Sequence, residues 1–197
     1  MRVRVLVSHA ARLVLGFAAV SALAASPARA TQSFYEAQLL GTSESPPNAS
    51  PATGYAEVDL DDVAHTMRVQ VWFSGLLGTT SASHIHAATA VAGTGTAGVA
   101  TVTPTFTGFP SGVTAGTYDH TFDMTSASSY NGPFVTANGG TAATAEAALF
   151  AAIAAGKAYL NVHSSVFTGG EIRGFLLPFN PTPAARPTWG RIKTLYR

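Results

Sequence analysis

The sequence has no cysteine among its 197 residues. Disulfide bonds, thiol nucleophiles and thiolate metal ligands are therefore excluded. A chain of this length can bury a core large enough to be stable without disulfide bonds. No Ser-His-Asp arrangement, pair of catalytic carboxylates or phosphate-binding glycine loop stands out either. The sequence therefore indicates no particular reaction, and it leaves open whether the protein is an enzyme.

Charged side chains are also scarce, since Asp, Glu, Lys and Arg make up only 11% of the residues. Four of the eleven basic residues lie in residues 1–30, and four more lie in the last twelve positions. Residues 31–179 therefore hold three basic and ten acidic residues, which gives them a net charge of −7. Such an acidic body argues against nucleic acid as a partner.

Apolar runs of the length that spans a membrane do not occur after residue 30. Before it, Arg2, Arg4 and Arg12 precede an apolar run over residues 13–25, and the small-residue pattern Ala28-Arg29-Ala30 follows. This order predicts a secretory signal peptide over residues 1–30. We therefore expect a protein exported to the periplasm or out of the cell, with no transmembrane segment in the mature chain.

The remaining chain divides into two parts. Residues 180–197 contain three prolines and four basic residues, a composition that predicts a disordered basic tail. Residues 31–179 are long enough for one domain. We therefore expect a single folded domain over residues 31–179.

Alternation of apolar and polar residues dominates that domain and indicates strands. The segments 55–60 and 66–74 both alternate, and the "DDVAH" between them predicts a hairpin turn. Further strands are predicted at 33–39, 82–87, 98–103, 117–124, 158–163 and 171–178. About eight short strands with Gly- and Ser-rich links predict an all-β fold, an antiparallel β-sandwich or Greek-key barrel. Two long loops, 88–97 and 125–143, are expected to be mobile or functional.

One segment departs from this pattern and predicts a short helix near 144–156. It is rich in Ala, and its apolar residues are spaced at helical intervals. Thr144 is the expected N-cap, Glu146 the expected first-turn acid, and Gly156 the expected C-terminal stop.

Two histidines stand two positions apart in "HIH", at His84 and His86. On a strand they project from the same face. Neutral imidazole is a common ligand of zinc and copper, so two on one face form half of a metal site. The other histidines are weaker candidates, since His120 alternates with aromatic residues and His65 lies in a turn, where we expect it to be exposed.

The segment "AYLNVHSSVFTGGEIRG" supplies the other candidate residues. Its alternation places Asn161 and His163 on one face of a strand, and Glu171 and Arg173 on one face of the next. One hypothesis is a metal site formed by His84, His86 and His163, with copper or zinc as the ion. The alternative is a structural polar network of Asn161, Glu171 and Arg173, in which a buried Arg173 clamps Glu171 or a backbone carbonyl.

Taken together, these segments resemble the CHRD domain family. The resemblance rests on "AQLLGTSESPP" (37–47), "SGLLG" (74–78), "HIH" (84–86), "AAIAAGKAYLNVHS" (151–164) and "GGEIRGFL" (169–176). It implies a β-sandwich and an extracytoplasmic setting, and it implies little about activity.

Two functions remain open from the sequence. The first is a secreted or periplasmic non-enzymatic module that binds an unidentified envelope or extracellular partner or has a structural role. The second is an extracytoplasmic copper- or zinc-binding protein that uses His84, His86 and His163. A cofactor other than these metals is not indicated.

Overall fold

A computed structural model describes residues 32–179 of the chain. The predicted signal peptide (1–30) and the predicted basic tail (180–197) lie outside the described residues. The described part contains eight strands and two α-helices. The strands are β1 (Gln32–Leu40), β2 (Thr53–Asp61), β3 (Thr66–Ser74), β4 (Thr80–His86), β5 (Gly116–Asp123), β6 (Tyr159–Ser164), β7 (Ile172–Phe175) and β8 (Leu177–Pro178), and the helices are α1 (Gly132–Ala137) and α2 (Ala142–Ala154).

The strands form one curled sheet in the order β4-β6-β7-β1-β2-β3-β5, with β8 paired to β1. Every strand pair is antiparallel. Alternate residues turn inward and form the core, so Val58, Val69 and Val71 are fully buried while Trp72 on the opposite face is exposed. The predicted all-β, antiparallel fold class is confirmed.

The hairpin of β2 and β3 forms as the alternation predicts. Asp61 closes its turn, because its Oδ1 accepts hydrogen bonds from the backbone N–H groups of Val63 and Ala64. This local bonding by an Asp side chain is the reason that "DDVAH" ends one strand and starts the next. Within the turn, His65 is exposed as expected.

The predicted strand at 98–103 is wrong. This segment makes only isolated bridges at Val99 and Thr101. The reason is that a threonine side chain takes the place of a backbone partner: the N–H of Ile85 in β4 donates to the Oγ1 of Thr101. A ladder needs carbonyl acceptors in regular register, so a side-chain acceptor ends it.

Helix α2 confirms the predicted helix but begins earlier. Its N-cap is Thr141, whose side chain accepts from the N–H of Thr144, and Thr144 completes a capping box from position N3. Thr144 as the N-cap was therefore wrong by three residues. Glu146 consequently falls beyond the first turn, where it is buried and contacts the Nδ1 of His65 at 2.9 Å. Gly156, with φ of 65°, follows the C-cap as predicted.

The segment 125–143 is more ordered than a long loop. It contains a short 3-10 helix at Ala127–Ser129 and helix α1, which has a proline at its start. Within residues 32–179, no helix combines the length and the apolar character that a membrane crossing requires.

Candidate metal centre and its polar surroundings

One end of the sheet, formed by β4, β6 and β7, presents a polar face. His84 in β4 lies opposite Asn161 in β6, which lies opposite Arg173 in β7. Two residues farther along β4, His86 lies opposite Tyr159 in β6. Side chains that are directly opposite on one face of a sheet are neighbours, so strand pairing alone gathers these residues.

The three candidate histidines come together on this face. The Nε2 atoms of His84 and His163 are 3.0 Å apart. The ring centroid of His84 lies 4.7 Å from those of both His86 and His163. One nitrogen from each of the three rings lies within 4.8 Å of the others, so the three could bind one ion.

The outer nitrogens of these rings are held by backbone carbonyl groups. Each Nδ1 lies within hydrogen-bond distance of one carbonyl oxygen: His84 with Pro104 (3.2 Å), His86 with Ala97 (2.8 Å) and His163 with Thr168 (2.8 Å). A carbonyl oxygen only accepts, so each Nδ1 carries the proton. The proton-free Nε2 of each neutral ring therefore has its lone pair available.

Burial keeps these imidazoles neutral. Burial, with smaller contributions from the neighbouring His86 and His163, lowers the pKa of His84 to about 3. Burial likewise lowers the pKa of His86 to about 4, against the opposing hydrogen bond to Ala97. The pKa of His163 is also lowered by burial. At neutral pH all three rings are therefore in the form that binds metal ions.

The Nε2 of His86 is a buried atom without a hydrogen-bond partner among residues 32–179. Its ring stacks on Tyr159, with centroids 4.7 Å apart and planes inclined by 8°. A buried polar atom without a partner costs free energy. The stacking and the carbonyl contact of its Nδ1 therefore hold the ring of His86 in an orientation that leaves its Nε2 without a hydrogen-bond partner among the described residues.

Arg173 is only 5% exposed, which confirms the expectation that it is buried. Its Nε donates to the carbonyl oxygen of Ser43, and the same nitrogen lies 3.8 Å from Oε2 of Glu44. Its guanidinium carbon lies 4.6 Å from the centroid of the Tyr159 ring, a cation–π arrangement. The expected clamp on a backbone carbonyl is thus present, and the carboxylate partner is Glu44 instead of Glu171.

Glu171 belongs to a separate cluster. It is fully buried and accepts hydrogen bonds from the hydroxyl of Ser50 at 2.7 Å and the N–H of Leu77 at 2.6 Å. Burial raises its pKa, but these and other hydrogen bonds outweigh that effect and lower it overall. Strand alternation does not extend to Glu171 because it precedes β7 and follows Gly170, whose φ is 129°. Shared spacing with Arg173 was therefore a poor guide to its partners.

Glu44 is the main residue of this region that the sequence did not single out. Burial raises its pKa to about 7, while Arg173 opposes the shift. Its Oε1 and the Oδ1 of Asn161 are buried and have no hydrogen-bond partner in the described part of the chain. Both oxygens face the bare backbone of Gly170, where an added Cβ would lie within 2.7 Å of each. The available signal was its place in "GTSESPP", one of the stretches that carry the family resemblance.

Comparison with known proteins identifies one family. The CHRD domain family matches residues 35–176, which is more than half of the chain and includes all three histidines. No curated protein and no solved structure matches the chain. The match runs from β1 through β7 and so includes the strands that build the polar face. The chain therefore belongs to the CHRD domain family.

Proposed function

We propose that this CHRD-domain protein binds one zinc or copper ion through the Nε2 atoms of His84, His86 and His163. One observation carries the proposal: three neutral imidazoles, with His84 buried and His86 and His163 half-buried, each place one nitrogen within 4.8 Å of the others. Each ring is oriented by a carbonyl group at its other nitrogen. Such outer contacts are typical of metal-ligating histidines, because they set the tautomer and the direction of the ring.

The spacing of two of these nitrogens suits a metal ion. Two ligands at about 2.0–2.1 Å from zinc in tetrahedral geometry lie about 3.3 Å from each other. The Nε2 atoms of His84 and His163 are 3.0 Å apart. Two proton-free nitrogens at this distance repel each other unless a cation lies between them. The third ligand, His86, completes the set when its nitrogen also lies about 3.3 Å from the other two.

The unpartnered Nε2 of His86 supports the same conclusion. An ion bound by all three histidines would satisfy this atom and remove the lone-pair repulsion between the other two. Three nitrogen ligands leave a fourth position for water or another ligand, as in catalytic zinc sites. Copper(II) binds nitrogen ligands more tightly than zinc does, so we expect the higher affinity for copper. We assign no reaction to the site.

The proposal includes export from the cytoplasm. It is supported by the signal-peptide pattern in residues 1–30 and by the membership of the CHRD domain family. A role as a non-enzymatic module for an envelope or extracellular partner is compatible with metal binding. The three histidines lie on β4 and β6, at one end of the strand order, and β7 and β1 separate them from β2, β3 and β5 in that order.

Thermal unfolding of the chain lacking residues 1–30 tests the proposal. At a free metal concentration about 100 times the Kd, binding stabilises the folded state by about 2.7 kcal/mol. For a domain of this size, that corresponds to a rise in Tm of about 5–10 °C. Elemental analysis after desalting should give one ion per chain.

Histidine variants distinguish metal binding at this site from nonspecific metal binding elsewhere. His163→Gln and His84→Gln should each lose most of the metal-induced rise in Tm. His120→Ala is the matched control: its ring packs 4.5 Å from Phe122, away from the candidate site, so its own metal-induced rise should be intact. No rise with zinc or copper at pH 7.5, or an equal rise in all variants, would contradict the proposal.

A further inference from the structure

A second concave surface lies away from the histidines, on the outer face of β1, β2, β3 and β5. It is a groove of about 1180 Å³, and its lining residues come from strands across the sheet, from Phe175 in β7 to Thr117 in β5. A volume of this size exceeds that of a typical small-molecule pocket. The groove crosses the strands, so it has the extended form that suits a chain-like ligand.

Aromatic side chains form the apolar part of the groove. Trp72 is 40% exposed, and its ring centroid lies 6.1 Å from that of Tyr55 with the planes inclined by 34°. An apolar surface that is rimmed by polar residues is typical of a site that binds a ligand or partner. The two rings face outward from neighbouring strands and form one platform.

Polar groups without positive charge surround this platform. The phenol of Tyr55 donates a hydrogen bond to Oε2 of Glu36, and both residues line the groove. Gln38 adds an amide, and Thr53, Ser74 and Thr117 add hydroxyl groups. These groups both donate and accept hydrogen bonds.

The charges favour an uncharged ligand. Among residues 32–179, Glu36 is the only charged residue in the lining, and residues 31–179 carry a net charge of −7. Anionic polymers are repelled by such a surface. A small cation would need rings that surround one point, whereas the rings of Tyr55 and Trp72 lie side by side in a much larger space.

We propose that this groove binds a neutral linear polysaccharide. The apolar faces of sugar rings, where C–H groups are exposed, would pack on Trp72 and Tyr55. The sugar hydroxyl groups would exchange hydrogen bonds with Glu36 and Gln38. The ligand class follows from the combination of an aromatic platform, mixed donors and acceptors, and the lack of a cation among the described residues of the lining.

Affinity electrophoresis tests this inference with two neutral probes, galactomannan and mixed-linkage β-glucan. The chain lacking residues 1–30 should be retarded by at least one of them and not by anionic polygalacturonate. Trp72→Ala should weaken the binding at least tenfold, and Glu36→Gln should weaken it severalfold. Val166→Ala is the control, since Val166 is an exposed apolar residue that does not line the groove.

The outcome is independent of the metal site. His163→Gln should bind the polysaccharide as well as the unaltered chain, which separates this result from the test of metal binding. Lack of retardation by both neutral probes overturns the inference. So does equal retardation of Trp72→Ala, preference for polygalacturonate, competition by choline, or a dimer in solution that Trp72→Ala dissolves.

Discussion

Replacing Arg173 by alanine should destabilise the folded protein by about 2–4 kcal/mol. Two contacts of Arg173 account for this loss of stability. A charge-assisted hydrogen bond to the carbonyl of Ser43 is lost, and bonds of this kind contribute about 1.5–3 kcal/mol. The cation–π contact with Tyr159 adds about 1–2 kcal/mol where it is desolvated. Protonation of the abandoned Glu44 offsets part of this loss.

The loss of stability in the Arg173→Ala variant should depend on pH, because Glu44 titrates beside this arginine. Its pKa is raised from 4.5 in the unfolded chain to about 7 in the folded one. Between pH 4.5 and 7, Glu44 is protonated more often in the folded state than in the unfolded chain. Its contribution to the free energy of unfolding is therefore full below pH 4.5 and is lost as the pH rises through 7. Removing Arg173 takes away the cation that opposes this shift. The Arg173→Ala variant should therefore lose more stability at pH 8.5 than at pH 5.5.

Calorimetry at the two pH values measures this effect. We expect Tm to fall by about 5–15 °C, with the larger fall at pH 8.5. Glu44→Gln in the Arg173→Ala background should recover part of the loss at pH 8.5. Arg68→Ala is the control, because Arg68 makes an exposed ion pair with Asp119, and such pairs contribute little. A Tm for Arg173→Ala that matches the Arg68→Ala control at both pH values would refute the reasoning.

Three further predictions concern other parts of the fold. The pKa of His84 is about 3 in the folded state against 6.5 in the unfolded chain, so the metal-free protein should lose stability as the pH falls from 6.5 to 4, by up to about 1.4 kcal/mol per pH unit for each such histidine. Urea unfolding at several pH values should show this slope, and His84→Gln should flatten it. Gly174→Ala should cost about 1–3 kcal/mol in the same assay, because its Cβ would collide with the backbone carbonyl of Gln38. Gly98→Ala, where a Cβ would meet nothing within 4 Å, should have a much smaller effect. Thr141→Ala should lower the unfolding free energy by about 1 kcal/mol through loss of the N-cap, measured by circular dichroism. An unchanged melting curve would show that α2 does not depend on its capping box.

The fold class was predictable because strand alternation is a local property. In β3, Met67, Val69 and Val71 are buried while Arg68 and Trp72 are exposed, as their spacing predicts. The segment 98–103 was not predictable in this way. Whether this segment becomes a strand depends on which of its groups accept hydrogen bonds from the neighbouring strand. The N–H of Ile85 donates to the hydroxyl of Thr101 and not to a backbone carbonyl group.

The candidate site was predictable to the extent that strand pairing built it. Two histidines in "HIH" share a face by the geometry of a strand, and β6 places His163 beside them because it pairs with β4. Glu44 was not predictable, since it enters the site from a segment between β1 and β2 that has no regular period. Nor was the separation of Glu171 from Arg173, because the left-handed backbone at Gly170 breaks the alternation just before β7.

Residue order alone therefore specified most of the strands, the helix near 144–156 and the face shared by His84 and His86, since these follow from backbone periods of 2.0 and 3.6 residues. Tertiary structure alone decided which strands are neighbours and which distant segments cover them. Contacts such as that of Arg173 with Ser43 join residues far apart in the chain, and they form only because the curled sheet brings β1 beside β7. Burial then set the protonation of His84 and Glu44, because desolvation depends on the whole surrounding fold and on no local pattern.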